Sequence, residues 1–187
     1  MSVGLSSLAG CTVIYGGSFN PPHLGHQMSC LYLLEGLGAD AVWLVPVHTH
    51  PFGKPLTSFM HRLAMCRLLA APFAGRVEVS DVEAQRGGVS RTYDTLVHLR
   101  TAHPERRFAL AVGADNLDEL PRWHRWPELE ALLPICVVGR SGYDGRGLTP
   151  LDIPDVASRD VRARLHEGES TLGLLPAAVA AYVAAQR

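Results

Sequence analysis

The sequence lacks an excess of either charge. Seventeen Lys and Arg residues face eighteen Asp and Glu residues, a formal net charge of −1, so no global field would hold nucleic acid and a polyanionic partner must be met by a local cluster. It also lacks a long hydrophobic run: the most apolar tail, Leu174 to Ala185, falls well short of the ~20 residues a membrane span requires. Paired cysteines are missing too. The four present, Cys11, Cys30, Cys66 and Cys136, form no Cys-x-x-Cys, which argues against a zinc ribbon and a disulfide framework. Three sit in apolar runs and read as buried free thiols in a reducing cytosol. Leu8-Ala9-Gly10-Cys11 resembles a lipoprotein cleavage box, but nothing basic precedes it and the leader is too short for a signal region. Residues 1–10 are therefore expected to be a plain N-terminal leader. Internal repeats, heptads and charge blocks are absent.

What remains is ordinary globular composition, 47% hydrophobic and 19% charged over 187 residues. That length suits one domain and can bury a core without disulfides or metals. Short apolar runs alternate with longer amphipathic ones, the pattern of a doubly wound parallel α/β sheet. Strands are expected at Cys11–Tyr15, Ala41–Val47, Arg76–Ser80, Arg107–Val112 and Ile135–Val138, each apolar on consecutive positions as for strands covered on both faces. Helices are expected at Gly25–Leu37, Ser58–Ala70, Thr92–Thr101 and Trp126–Leu132. The segment Gly139–Pro150 holds four glycines and reads as a mobile loop. The C-terminal portion 158–187 is helical, with Ser158–Glu167 followed by Pro176–Gln186, the second opened by a proline in its first turn.

The first strand runs into Gly16-Gly17-Ser18-Phe19-Asn20-Pro21-Pro22-His23-Leu24-Gly25-His26. Two glycines after a strand let backbone approach a ligand and expose amide donors, and the following helix turns its N-terminus to the same place, where phosphate binds well. His23 and His26, three apart at a helix start, share one face and can both donate to phosphate oxygens. Elsewhere Gly53-Lys54 lacks the first glycine of a Walker loop, and no Gly-x-Gly-x-x-Gly follows the first strand. His48, His50 and His61 could be drawn into a zinc site with His23 and His26, but nine histidines make such coincidences easy, and no metal site is expected.

The eleven-residue run resembles the signature of the nucleotidylyltransferase superfamily, a His/Thr-x-Gly-His motif after the first strand. Within it the chain looks most like the bacterial nicotinate-mononucleotide adenylyltransferases. Ser90-Arg91-Thr92-Tyr93-Asp94-Thr95-Leu96 is similar to that family's Ser-Tyr-Thr-x-Asp-Thr-Leu helix start, and Gly113-Ala114-Asp115-Asn116-Leu117 with Trp123 and Trp126 to its Gly-x-Asp segment and tryptophan pair. Val156 through Arg162 aligns with Ile-Ser-Ser-Thr-x-Ile-Arg, and Leu175-Pro176 through Val183 with the closing helix. The chain departs from the pattern where Ala157 and Arg159 replace a serine and a threonine. It departs again at His50-Pro51-Phe52-Gly53-Lys54, where the family has Pro-Pro-His-Lys, so that Lys54 is displaced by one residue.

The resemblance implies adenylyl transfer from ATP, carried with Mg²⁺, to nicotinate mononucleotide, releasing pyrophosphate, in the cytoplasm and without nucleic acid or membrane partners. It nominates Gly16, Gly17, Ser18, Phe19, His23, Gly25, His26, Gly113, Asp115, Ser158 and Arg162 for ATP, and Asn20, Thr92 and Trp123 for the acceptor. His23, His26, Arg162 and Lys54 are the catalytic candidates. On local evidence alone Asp115 is a ribose acceptor or a helix N-cap. Arg162 is a phosphate fork or a solvated charge paired with Asp160 or Glu167, and Trp123 is a base-stacking or a core ring. Nicotinamide mononucleotide or phosphopantetheine as acceptor, and a non-catalytic nucleotide-binding regulator, are the alternatives.

Overall fold

The computed structural model describes residues 7–139, 141 and 153–186. Five parallel strands, β1 (Cys11–Gly17), β2 (Ala41–Pro46), β3 (Val77–Val79), β4 (Arg107–Gly113) and β5 (Ile135–Val138), form one sheet in the order β3-β2-β1-β4-β5. The chain thus winds outward one way from β1 through β2 to β3, then crosses back to β4 and β5. β1 and β4 are neighbours at the point where the winding reverses. In such sheets ligands bind in the crevice beyond the strand C-termini at that point.

All the strands but the edge strand β3 serve two cores, because successive side chains point to opposite faces. Val13, Val42, Leu44, Ala109, Ala111 and Cys136 face one cluster, while Ile14, Trp43, Val45, Leu110, Val112 and Ile135 face the other. The consecutive apolar residues of the strands are the sequence trace of this double coverage. The first cluster takes Cys30 from α1 (Leu24–Leu31), Cys66 and Leu69 from α2 (Phe59–Ala70), Val161 from α6 (Ser158–Glu167) and Val179 from α7 (Ala177–Ala185). The second takes Val82 from α3 (Val82–Arg86), Leu96 and Leu99 from α4 (Thr92–Ala102) and Leu129 from α5 (Trp126–Leu132).

Element boundaries differ from the sequence expectations in instructive places. The helix expected over Gly25–Leu37 is α-helical only to Leu31 and continues as a wider π-type turn, Tyr32–Gly36, which turns the adjacent Leu33 and Leu34 both inward. β2 ends at Pro46, and the next amide, that of Val47, donates sideways to the Gly17 carbonyl. Pro176 caps α7 rather than opening its first turn. The short α3 and a 3₁₀ segment, Ala114–Arg122, had no expectation attached. Of the expected leader, Leu8 is buried and its amide donates to Leu37. Residues 1–6 and, but for 139 and 141, the expected loop 139–150 lie outside the described residues. Among the described residues no helix is long and apolar enough to cross a membrane.

All four cysteines are free and buried. Burial pushes the thiol of Cys136 up to about 11, that of Cys30 up to about 12 and that of Cys66 higher still. Since the thiolate is the reactive form, native protein at neutral pH is expected to react only slowly with a thiol reagent, and all four thiols to react at once in denaturant. Rapid native labelling of Cys30 or Cys66 would contradict the packing described.

Candidate active site

The C-terminal ends of β1, β2 and β4 and the N-termini of α1, α4 and α6 surround one cleft of ≈ 860 Å³. Every residue nominated above lines it. The loop after β1 forms its floor and is held almost entirely by its carbonyls. That of Gly17 accepts from the Val47 amide at 2.9 Å, and that of Ser18 from Arg62 Nη1 at 3.0 Å. Asn20 accepts from Arg162 Nη1, and Pro21 from the Ser158 hydroxyl at 2.8 Å. In a trans peptide the N–H points opposite to the C=O, so carbonyls tied on one side turn the Ser18 and Phe19 amides to the other. Phe19 makes the turn with a left-handed backbone, φ 45°, and buries its ring.

His23 is the N-cap of α1 and is buried. Its backbone N–H donates to Nδ1 of His26 at 3.1 Å, which fixes Nδ1 as an acceptor and leaves the ring proton on Nε2. The His26 ring is held by His23 (centroids 3.7 Å apart), Phe19 (4.9 Å) and Tyr15 (5.9 Å). Gly25 suits this packing. A Cβ there would come within 3.1 Å of the His23 ring, tighter than ordinary contact. His26 is thus built as an oriented donor, in keeping with the donor role the sequence reading gave it, while His23 serves to hold it.

The second strand end contributes the first turn of a 3₁₀ helix. Asp115 sits there and accepts from the Asn116 side-chain Nδ2 at 3.1 Å, and Gly113 is the residue at the N-cap, so Asp115 is not the cap that the local sequence allowed. A side chain on Gly113 would run into the Asp115 carboxylate. Arg162, half-buried one turn into α6, bonds the Asn20 carbonyl rather than Asp160, which pairs with Arg159 at 3.1 Å. The solvated-charge reading therefore does not hold. Asn20 also accepts the Thr57 amide on Oδ1 at 3.3 Å and is buried, so it ties loops together. Lys54, the only lysine in the chain, is exposed at the cleft edge.

Across the cleft, α4 begins at Thr92 with Arg91 in extended conformation and no side chain capping its amides. Trp123 is half-buried, edge-on to Trp126 at 6.4 Å, and both pack partly on the second core cluster. Arg122 lies over the Phe52 ring at 5.8 Å, joining the loops after β2 and β4. Among the lining residues, Glu83 and Arg122 had no role in the sequence reading, and His50 entered it only as a dismissed zinc candidate and within the His50–Lys54 stretch. Burial, with Lys54 and Arg62 nearby, holds His50 below the ordinary histidine value, partly offset by Glu119. Glu83 is buried and accepts from the Thr95 hydroxyl at 2.8 Å, which in turn accepts from Arg86 at 3.0 Å. No spacing rule flags a lone glutamate in a short helix.

A doubly wound sheet that gathers loop amides, a capping histidine and a cationic fork at the β1–β4 crevice presents donors suited to an anion, and comparison with known proteins sets it in the nucleotidyltransferase class. The family model described as Cytidylyltransferase-like matches residues 14–169. A relative in Anaeromyxobacter dehalogenans, strain 2CP-C, named "Probable nicotinate-nucleotide adenylyltransferase", is 47% identical over 93% of this chain and 94% of that protein. A namesake in Myxococcus xanthus is 39% identical over 90% and 89%. The solved Plasmodium falciparum nicotinic acid mononucleotide adenylyltransferase complexed with NaAD superposes with a TM-score of 0.80 over 94% of this chain and 95% of that one. At 19% identity it speaks for the fold. Together these matches make the chain a member of the cytidylyltransferase-like family, alongside relatives named for nicotinate-nucleotide adenylyl transfer.

Glu83 yields a testable pH effect. Burial, opposed by the Thr95 hydroxyl, Arg86 and the His48 amide, pushes its carboxyl above the ordinary carboxylate range. The folded state then keeps the proton to higher pH than the unfolded chain, so this contribution to stability is complete at low pH. It is lost as pH rises from the ordinary carboxylate value through the raised folded one. Glu83→Gln mimics the protonated acid, and urea unfolding across that interval is expected to show a shallower decline than wild type. Equal slopes would mean that the carboxyl titrates like a surface one.

Proposed function

We propose that the protein is a nicotinate-nucleotide adenylyltransferase, in which the phosphate of nicotinate mononucleotide attacks the α-phosphorus of ATP. One P–O bond forms, the bond to the β-phosphate bridging oxygen breaks, and pyrophosphate leaves with that electron pair. The attacking phosphate is already an anion, so no general base is needed. Catalysis is positioning plus charge stabilisation. The observation that carries the reading is the convergence of the loop amides, the oriented His26 donor and Arg162 on one crevice between β1 and β4. Among the described residues no group of three His, Cys, Asp or Glu side chains could hold an ion, and Mg²⁺ is taken here as part of the substrate, carried on the triphosphate.

On this reading Gly16, Gly17, Ser18 and Phe19 lend backbone to the phosphates and His26 donates from Nε2 to the oxygens that gain charge. His23 orients His26 through its amide and stacked ring. Arg162, anchored by Asn20, turns the rest of its fork to the phosphates, and Lys54 reaches the same chain from the opposite edge. Asp115, with Gly113 leaving it room, accepts from the adenosine ribose. Gly25 keeps His23 in place and Ser158 keeps the loop in place. The acceptor lies toward Asn20, Thr92 and Trp123, its ring against Trp123 and its carboxylate at the uncapped amides of α4, where partial positive charge favours an anion.

Pyrophosphate release from MgATP, assayed with nicotinate mononucleotide, nicotinamide mononucleotide and phosphopantetheine, tests this directly. The acid is expected to exceed the amide by at least about tenfold in kcat/KM, about 1.4 kcal/mol. Equal efficiencies would remove the α4 carboxylate site, phosphopantetheine preference would change the acceptor class, and no release with any acceptor would leave a nucleotide-binding regulator. His26→Ala is expected to lower turnover roughly 10²–10³-fold, the usual cost of losing one preorganised donor. It should also cost about 1 kcal/mol of stability, from the lost acceptor for the His23 amide. Near-normal turnover in this variant would displace His26 from the reaction. Trp123→Ala is expected to raise KM for the acceptor more than for ATP.

A further inference from the structure

Arg62 lies in the first turn of α2 with 1% of its surface exposed, among the largest fully buried side chains of the protein. Among the described residues no carboxylate stands within ion-pair distance of it. Its charge is met by three backbone carbonyls from three different segments. Nη1 donates to Val47 at 2.7 Å and Ser18 at 3.0 Å, and Nε donates to Thr57 at 2.8 Å. Burying a cation without a counter-ion is unfavourable, and an apolar side chain of similar volume would fill the space at less cost. The arginine must be serving the geometry of what it holds.

What it holds is the floor of the cleft. Val47 donates its own amide to Gly17 and offers its carbonyl to Arg62, so β2 and α2 together fix the peptides that follow Gly17 and Ser18. Those peptides carry the amides of Ser18 and Phe19, which make no hydrogen bond to protein among the described residues. We propose that Arg62 is a positioning residue for adenylyl transfer: by gripping the Ser18 and Val47 carbonyls it aims the Ser18 and Phe19 amides at the polyphosphate of ATP. The inference rests on the adenylyltransferase reading for the identity of that anion. A planar fork suits the task because it spans several acceptors at fixed angles, which an ammonium cannot.

The test compares wild type with Arg62→Lys, which keeps the charge but not the fork, and Arg62→Met, which keeps only the bulk. Both are followed by thermal unfolding, steady-state kinetics and titration with a non-hydrolysable ATP analogue. In Arg62→Lys, kcat is expected to fall about 10–100-fold and the analogue to bind at least about fivefold more weakly, while KM for the acceptor stays within about twofold. A purely structural role predicts the opposite: near-normal kinetics per folded molecule, or both substrates weakened alike in step with stability. Should either variant fail to fold, wild type alone decides by NMR. The amide resonances of Ser18 and Phe19 must shift on binding the MgATP analogue, and unmoved resonances with bound nucleotide overturn the proposal. Absence of adenylyl transfer by wild type with bound nucleotide would instead sink the acceptor reading and leave the role of Arg62 in nucleotide binding standing.

Discussion

The cleft depends on how one loop satisfies its carbonyls. Between Gly17 and Pro21 four of them are tied, to Val47, Arg62, Arg162 and Ser158. A buried carbonyl must find a donor, and here the donors come from elements more than a hundred residues apart in sequence. The loop is thus clamped from two sides, by Val47 just past β2 together with α2 on one and by α6 on the other. Backbone donors fixed this way lose nothing to reorganisation when a phosphate arrives, which is what makes them effective in stabilising developing charge.

The same ties explain why a small late helix matters to a site built at the first strand. α6 supplies Ser158 and Arg162 to the loop and Val161 to the core between them. Val161 is fully buried, so the register of the helix against the sheet is set by packing, and the two polar residues one turn apart follow it onto the loop. Gly168 closes the helix in the left-handed region, φ 72°, within one turn of Leu165, the last residue that packs on the core. Core, cap and site therefore share one short segment.

Much of this was legible in sequence because it is local. A strand followed by Gly-Gly, then Pro-Pro and a histidine at a helix start, spells out a strand-to-loop-to-helix unit whatever lies around it, and Thr92 and Ser158 announce helix starts in the same way. Trp126–Leu132 and Ser158–Glu167 fell at the expected residues. What could not be read depends on tertiary burial. Arg62 occupies one place in a helix whose apolar neighbours point inward, and only the fold decides that this charge goes in with them. Glu83 and the 3₁₀ segment are too short for a periodic signal. The solvated alternative for Arg162 was open for the same reason: the carbonyl it bonds lies 142 positions away.

Charge at the cleft is mixed rather than one-signed. Lys54, Arg91, Arg122, Arg159 and Arg162 line it, and so do Glu83, Asp115, Glu119 and Asp155. Such a balance provides little long-range attraction for a triphosphate, in keeping with the near-zero net charge of the whole chain. Affinity must then come from contact: placed amides, an oriented imidazole and a partly anchored guanidinium, each short-ranged and directional. The carboxylates supply hydrogen-bond acceptors beside the donors, so the cleft can meet hydroxyls as well as anions. Directional donors with little surrounding field discriminate by fit more than by charge, because each acts only at hydrogen-bonding distance and in one direction.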